Sequence, residues 1–270
     1  MPSRNPDVVV VGAGIVGAAC AFYLAREGLR VRVLDSGFVG GGTTAAGMGH
    51  VAVMDESEPQ FALTELSRRL WAELAEEHGS HWENDTCGTL WVAADQEELE
   101  HVAAKAAFLR RRGVEAEVLA AGEVARIEPQ LRRGLAGGLR VPEDRVIYPP
   151  AATRWLVEQA SGQGAEIQEG CEVREIRQTG GEVLTSAVTV SAAHVINAAG
   201  AEVARLTPRI PIEPRKGHLV ITDRYPGFCH HQLVELGYLK SAHSMTSESV
   251  AFNVQPRRTG QLLILSLIHI

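Results

Sequence analysis

The hydrophobic pattern opens with a run that is apolar at almost every position from Val8 to Ala25, VVVVGAGIVGAACAFYLA. It has the length of a membrane span. Four consecutive valines are strand formers, however, and three glycines fall in the next six residues, so the run reads as strand, turn and helix. The strand is predicted over Val8 to Val11 and the helix over Gly14 to Glu27, with Gly28 as its stop. A second strand follows over Val31 to Leu34, of the type that lies parallel to the first. After a glycine-rich stretch from Gly37 to Gly49, Ser57-Glu-Pro-Gln60 is a capping-box start for a helix. Its Leu63, Leu66, Leu70 and Leu74 form one stripe before Gly79, which is expected to pack on the sheet.

The character of the pattern changes near residue 80. A strand at Thr89 to Ala93 and an amphipathic helix from Gln96 to Arg112 precede a Gly/Arg-rich connection around Arg132 to Gly138. From Pro149-Pro150 a helix runs to about Ala160. Short strands follow near Glu166 to Gln168, Glu172 to Arg177 and Val188 to Val190, with a buried strand at His194 to Asn197. After Pro208 only strand-like runs remain, at His218 to Thr222, Gln232 to Leu236, Val250 to Val254 and Leu262 to Leu265, which suggests an antiparallel sheet. Two domains interleaved in sequence result, one from residues 1–80 and 145–207, the other from 81–144 and 208–264. The fold class is α/β in the first and α+β overall.

A chain of 270 residues that is 45% hydrophobic and 22% charged is of ordinary globular composition. Its 26 basic and 33 acidic residues leave a net charge of −7, so no broad cationic surface for nucleic acid or anionic lipid is expected. The single Arg4 ahead of the valine run is balanced by Asp7, a poor start for a signal peptide, and a cytoplasmic location without a transmembrane segment is expected. Cys20, Cys87, Cys171 and Cys229 form no C-x-x-C pair, and they read as buried thiols. His78, His81 and Cys87, and the run Cys229-His230-His231, lack ligand spacing for one tetrahedral ion, so no metal is expected.

The clearest chemistry lies in Gly12-Ala-Gly14-Ile-Val-Gly17, at the turn from strand to helix. The first glycine of such a motif permits the tight turn, the second lets backbone approach a pyrophosphate, and the third lets helix and strand pack closely. The pyrophosphate then lies at the positive end of the helix dipole. Eighteen residues after Gly17, Asp35 ends the second strand, where it would accept from an adenosine ribose hydroxyl and repel a 2′-phosphate. These residues leave NAD and FAD open.

Asp7 to Asp35 followed by Gly40-Gly-Gly-Thr43-Thr44-Ala-Ala-Gly-Met48 resembles the D-amino-acid oxidase superfamily of FAD-dependent oxidoreductases, especially its glycine oxidase, sarcosine oxidase and D-amino-acid dehydrogenase branch. The resemblance covers nearly the whole chain. It implies a Rossmann-like FAD-binding domain interleaved with an antiparallel-sheet substrate domain. It also implies that Gly42, Thr43, Thr44, Ala45, Ala46, Gly47 and Met48 run along the pyrophosphate and ribityl chain, joining Gly12, Gly14, Ile15, Val16, Gly17 and Asp35. Glu172-Val173-Arg174 resembles the strand whose valine borders the adenine. Val195-Ile-Asn197-Ala-Ala-Gly200-Ala201 resembles a second strand end beside the cofactor, with Ala198 and Gly200 as contacts; the family usually has Trp where this chain has Glu202. The run Thr44 to Met54, with Cys87-Gly-Thr-Leu-Trp91 and Asn253-Val-Gln-Pro-Arg257, is most similar to bacterial D-hydroxyproline dehydrogenase-type subunits.

Oxidation of an amine by flavin needs the substrate Cα–H aimed at the flavin, an unprotonated nitrogen and a cation for the carboxylate, with little acid–base machinery. His50, ending the flavin loop, is placed to accept a proton or to line the pocket. Tyr238, Asn253 and Arg257 are the polar candidates to face substrate. The implied function is oxidation of the C–N bond of a small amino acid or secondary amine, with oxygen or another redox partner as electron acceptor and an oligomer allowed. The alternatives are a 2-hydroxy-acid or glycerol-phosphate oxidoreductase of the same superfamily and a noncatalytic FAD-binding or electron-transfer subunit. Leu265-Ser-Leu-Ile-His-Ile270 is similar to the translation of a transposon end used in sequencing libraries. Residues 265–270 are therefore expected to be a non-native tail, and the chain an inactive fragment whose family counterparts continue further.

Overall fold

The computed structural model describes residues 5–54, 57–177, 181–212, 214, 217–236 and 252–266. The elements follow in chain order: β1 (Val8–Val11), α1 (Ile15–Arg26), β2 (Val31–Leu34), α2 (Gly42–Ala45), β3 (His50–Val51), α3 (Glu58–His78), β4 (Thr89–Ala93) and α4 (Gln96–Arg110). Next come β5 (Glu117–Ala120), α5 (Ala121–Ile127), β6 (Gly137–Val141), β7 (Arg145–Val146), α6 (Pro149–Gly162), β8 (Glu166–Gln168), β9 (Val173–Arg177) and β10 (Glu182–Thr185). The remainder are β11 (Thr189–Ser191), β12 (His194–Asn197), α7 (Val203–Leu206), β13 (His218–Arg224), β14 (Gln232–Glu235), β15 (Phe252–Pro256) and β16 (Gln261–Ser266). They form two compact units, Met1–Gly47 with Tyr148–Arg215, and Met48–Ile147 with Lys216–Ile270.

In the first unit a four-stranded sheet has the order β12-β1-β2-β8, and every neighbouring pair is parallel. The all-valine β1 is explained by its central position with both faces buried. Val8 and Val10 pack with Val31, Val33, Ala21 and Ala160. Val9 and Val11 pack on the opposite face with Leu34, Val173 and Val183 of the β9–β11 side. Small residues along α1 let α6 come close, with Phe22 and Trp155 ring centroids 5.7 Å apart. β9, β10 and β11 form an antiparallel meander.

The second unit is built on a seven-stranded sheet of order β13-β16-β15-β14-β4-β6-β5. It is antiparallel as expected except at one place, where β14 joins β4 in parallel. Alternation along the strands sends Trp91, Leu139, Val141 and Val234 toward Val102, Ala106 and Leu109 of α4. The intervening Leu90, Val92, Leu233 and Leu262 pack on the other face with Val124 of α5. The start of α4 is held by its cap, since Asp95 accepts from the Glu98 amide at 2.9 Å and Glu98 Oε2 accepts from the Ala94 amide at 2.7 Å.

α3 corrects two expectations. Ser57 caps it as expected, accepting from the Gln60 amide. Its leucine stripe does not face the parallel sheet, however: Leu63 is 68% exposed and Leu66 41%. The helix is anchored by Phe61, which packs with Trp91, Val102 and Leu109 and meets Phe108 edge-on. Residues 48–80 therefore group with the second unit, as do residues 145–147, while residues 208–215 stay with the first. Among the described residues no helix is long and apolar enough to cross a membrane.

Candidate functional site

In the first unit the three motif glycines have distinct duties. Gly12 has φ of +102°, in the region that favours glycine, and a Cβ there would lie 2.4 Å from the Ala198 carbonyl oxygen. A Cβ on Gly17 would lie 1.9 Å from the Gly12 carbonyl oxygen. Both positions are closed by the protein's own backbone, so both glycines serve the fold. Gly14 differs, because a Cβ there would meet only the Thr44 hydroxyl, at 3.1 Å. This is the open member of the motif, at the N-cap of α1, where it has no side chain of its own to cap the helix.

The loop around α2 closes on that helix end. The Ile15 amide donates to Thr44 Oγ1 at 3.0 Å, and a hydroxyl that accepts in this way keeps its own proton to donate. The Val16 and Gly17 amides are in the first helical turn and have no intrahelical acceptor, while Val16 itself is 62% exposed. Thr43, Ala45 and Ala46 are exposed, and Gly42 turns the chain with φ of +58°. Amide donors, a hydroxyl and an open glycine at the positive end of a twelve-residue helix suit a pyrophosphate, so the residues present fit a dinucleotide.

Asp35 has partners within the protein. Its Oδ2 accepts from the Ala13 amide at 2.6 Å and its Oδ1 from the Gly37 amide at 2.7 Å. The carboxylate therefore braces the glycine turn against the end of β2, and a ribose would have to share its remaining lone pairs. Val173 is buried, and its carbonyl accepts from Arg205 at 3.1 Å. Ala198 serves as the wall that Gly12 accommodates, and Gly200 opens a short turn with φ of +57°. Glu202 stands in that turn and pairs with Arg205 at 3.7 Å.

The second unit holds the remaining candidates. Met48 is buried. His50 is in β3, opposite Val146 of β7. Its Nε2 is sealed from solvent without a hydrogen-bond partner among the described residues, and burial lowers its pKa to about 4. The ring is therefore neutral at neutral pH, able to give or take one hydrogen bond but a poor proton store. Asn253, in β15, has a buried Oδ1 that is likewise unpartnered. Arg257 is not presented as an open cation, since its guanidinium donates to Glu83 Oε2 at 2.7 Å, from a side chain only 7% exposed. Glu83 has φ of +56°, a left-handed backbone rare for a non-glycine residue. Tyr238 lies outside the described residues.

The cysteine and histidine runs have structural partners. Buried Glu128 accepts from the His230 amide, the His231 amide and His231 Nδ1 at 2.9, 2.7 and 2.7 Å. The Cys229 thiol donates to the His231 carbonyl, and burial pushes it up to about 12. Among the described residues no three His, Cys, Asp or Glu side chains converge as a metal site. Two polar residues that the pattern did not single out stand beside Asn253. Gln255 is fully buried with neither amide atom paired, and Gln232 has an unpaired Oε1. Only the strand register reveals them, because a glutamine in an apolar run reads from sequence as an outward-facing residue.

A family model described as FAD dependent oxidoreductase matches residues 7–266. Glycine oxidase of Geobacillus kaustophilus is 33% identical over 229 residues, which is 80% of this chain and 61% of that protein. Its crystal structure superposes with a TM-score of 0.83 at 28% identity, covering 97% of this chain and 71% of that one. A D-amino acid dehydrogenase of Methylobacterium nodulans is 28% identical over 283 residues, covering 80% of this chain and 67% of that protein. Subunit A1 of the anaerobic glycerol-3-phosphate dehydrogenase of Haloferax volcanii is 27% identical over 250 residues, 82% of this chain and 41% of that protein. The chain thus spans about three fifths of the length of the glycine oxidase it matches.

Proposed function

The chain belongs to the DAO family of FAD-dependent oxidoreductases, and on that premise we propose that the protein oxidises the C–N bond of a small amino acid or secondary amine, of the glycine, sarcosine, D-amino-acid or D-hydroxyproline type. FAD, when bound, supplies the two-electron acceptor for a hydride leaving the substrate Cα. The first unit is the FAD-binding domain. Its Val16 and Gly17 amides and the Thr43 and Thr44 hydroxyls hold the pyrophosphate, the Ile15 amide fixes the Thr44 hydroxyl, Gly14 gives the backbone its approach, and Asp35 holds the turn and shares an oxygen with the ribose. Gly42, Ala45, Ala46, Gly47 and Met48 keep the following stretch narrow, while Val173, Ala198 and Gly200 border the cofactor. The second unit is the substrate domain.

The observation that carries the amine reading is the neutrality of the described substrate-side candidates. His50 is uncharged at neutral pH, Asn253 is an amide, and the charge of Arg257 is balanced by Glu83. Beside such uncharged groups the unprotonated nitrogen, from which a hydride can leave, is favoured. The 33% likeness to a glycine oxidase supports the same choice over the 27% likeness to a glycerol-3-phosphate dehydrogenase subunit. Anaerobic bleaching of the flavin by glycine, sarcosine and D-amino acids is the test. Bleaching by glycerol phosphate or a 2-hydroxy acid alone would replace this reading with the oxidation of an alcohol. Bound FAD that no substrate bleaches would make the protein an electron-transfer or FAD-binding subunit.

A further inference from the structure

Strand register brings three amide side chains together on one face of the second unit's sheet. β14 and β15 pair antiparallel with Leu233 opposite Val254 and Val234 opposite Asn253, which carries Gln232 opposite Gln255. Asn253 is two residues from Gln255 in β15, so all three share a face with Val234 and Trp91. Directly opposite residues of an antiparallel pair have Cβ atoms about 5 Å apart. The neighbour of Gln232 on its other side is Thr89, and the neighbour of Gln255 is Leu263.

Four of the six side-chain polar atoms of this row are buried without a hydrogen-bond partner among the described residues. Gln255 is 0% exposed, and neither its Oε1 nor its Nε2 has a hydrogen-bond partner among the described residues. The same holds for Gln232 Oε1, in a residue 2% exposed, and for Asn253 Oδ1. The Thr89 hydroxyl is committed elsewhere, donating to Asp144 at 2.6 Å. Each buried polar group left unpaired costs about 1–3 kcal/mol; others are scattered through the described residues, but here four gather on three neighbouring side chains, and that clustering points to a ligand.

We propose that Gln232, Gln255 and Asn253 form a subsite for an uncharged substituent that both donates and accepts hydrogen bonds, a hydroxyl or carboxamide on the side chain of the amino-acid substrate. This rests on the amine reading of the same unit. A primary amide offers two donors and an acceptor without charge, and it pairs with a hydroxyl or a second amide without a desolvated ion to balance. An apolar substituent would leave the row as unsatisfied as before, so the row discriminates between side chains of equal size.

The test is calorimetric binding of matched pairs, serine against alanine and asparagine against leucine in both enantiomers, to the FAD-loaded protein and to Gln255→Leu and Gln232→Leu, with flavin bleaching followed separately. The polar member is expected to bind at least roughly tenfold more tightly to the unaltered protein. In the variants that preference is expected to collapse to about twofold or less, with flavin content and binding of the apolar member retained. Equal binding within each pair by the unaltered protein overturns the subsite. So does a preference that survives both substitutions while Tm rises, which would make the amides core residues satisfied by water. Pair discrimination without bleaching by any amine leaves the subsite standing and removes the amine-oxidation reading. Bleaching without discrimination does the reverse. Should one leucine variant fail to fold, the other and Asn253→Leu carry the measurement.

Discussion

The Ile15 amide and the Thr44 hydroxyl meet at 3.0 Å across 29 residues of chain, joining the first turn of α1 to the loop that follows β2. That contact stands directly over Gly14, whose absent Cβ would reach the same hydroxyl. Gly14 has φ of −72°, open to any residue, so a side chain there strains no backbone. Gly14→Val is therefore expected to fold with a loss of no more than about 1 kcal/mol, the Thr44 hydroxyl giving way, and to be purified without flavin. Gly17→Ala is expected to lose about 3 kcal/mol or more, because its Cβ lands on the Gly12 carbonyl. Flavin absorbance and chemical denaturation of the two variants check both halves; a flavin-loaded Gly14→Val removes this turn from the cofactor site.

Asp35 holds two backbone amides, and its loss acts on the apoprotein as well as on the cofactor. Asp35→Ala is expected to lower apoprotein stability by about 1.5–3 kcal/mol, the range for hydrogen bonds to a charged group, and to weaken FAD binding as well. Urea denaturation of the flavin-free protein separates the two effects. If affinity falls while apoprotein stability stays put, the carboxylate serves the ribose alone.

Arg257 and Glu83 are 174 residues apart in sequence, and their ion pair is half desolvated. Removing either side of the pair loses a charged hydrogen bond, and Arg257→Met or Glu83→Gln is expected to cost about 1–3 kcal/mol of stability. Substrate affinity should stay the same in variants that fold. A large rise in KM with stability preserved would return Arg257 to the role of carboxylate anchor.

Local signals carried most of the first unit. The valine run, the spaced glycines and Asp35 lie within 28 residues, and each depends on neighbours that periodicity can read. β6 shows where that reading stopped. Gly137 and Gly138 belong to a Gly/Arg-rich stretch that reads as a connection, yet they are strand residues. Cβ atoms there would lie 2.5 Å from the Leu119 carbonyl and 2.6 Å from the Trp91 carbonyl, so glycine is what lets β5 and β4 approach. The leucine stripe of α3 has a legible period, but its partner is set by Phe61 and the distant Phe108. The Glu83 pairing of Arg257 and the row of Gln232, Gln255 and Asn253 are long-range juxtapositions of the same kind. No spacing within a strand announces them.

Two buried titrating groups of the second unit oppose each other as pH changes. His50 is lowered by burial from 6.5 to about 4, so the stability it contributes is present above pH 6.5 and is lost as pH falls toward 4, where the unfolded chain takes up the proton first. Asp144 is raised by burial from 3.8 to about 6, against the lowering effect of the Thr89 hydroxyl bond. Its contribution is present below pH 3.8 and is lost as pH rises through 6. Each amounts to at most about 3 kcal/mol, and across pH 4–6.5 they nearly cancel. Relative to the unaltered protein, His50→Gln should then lose stability as pH rises through that window. Asp144→Asn, which keeps an acceptor for Thr89, should gain it over the same interval. Urea midpoints at half-unit steps from pH 4.5 to 6.5 give the two slopes directly, and groups titrating elsewhere drop out of the differences. Variant profiles parallel to that of the unaltered protein would mean that water reaches both sites, and the neutral His50 on which the amine reading leans would go with them.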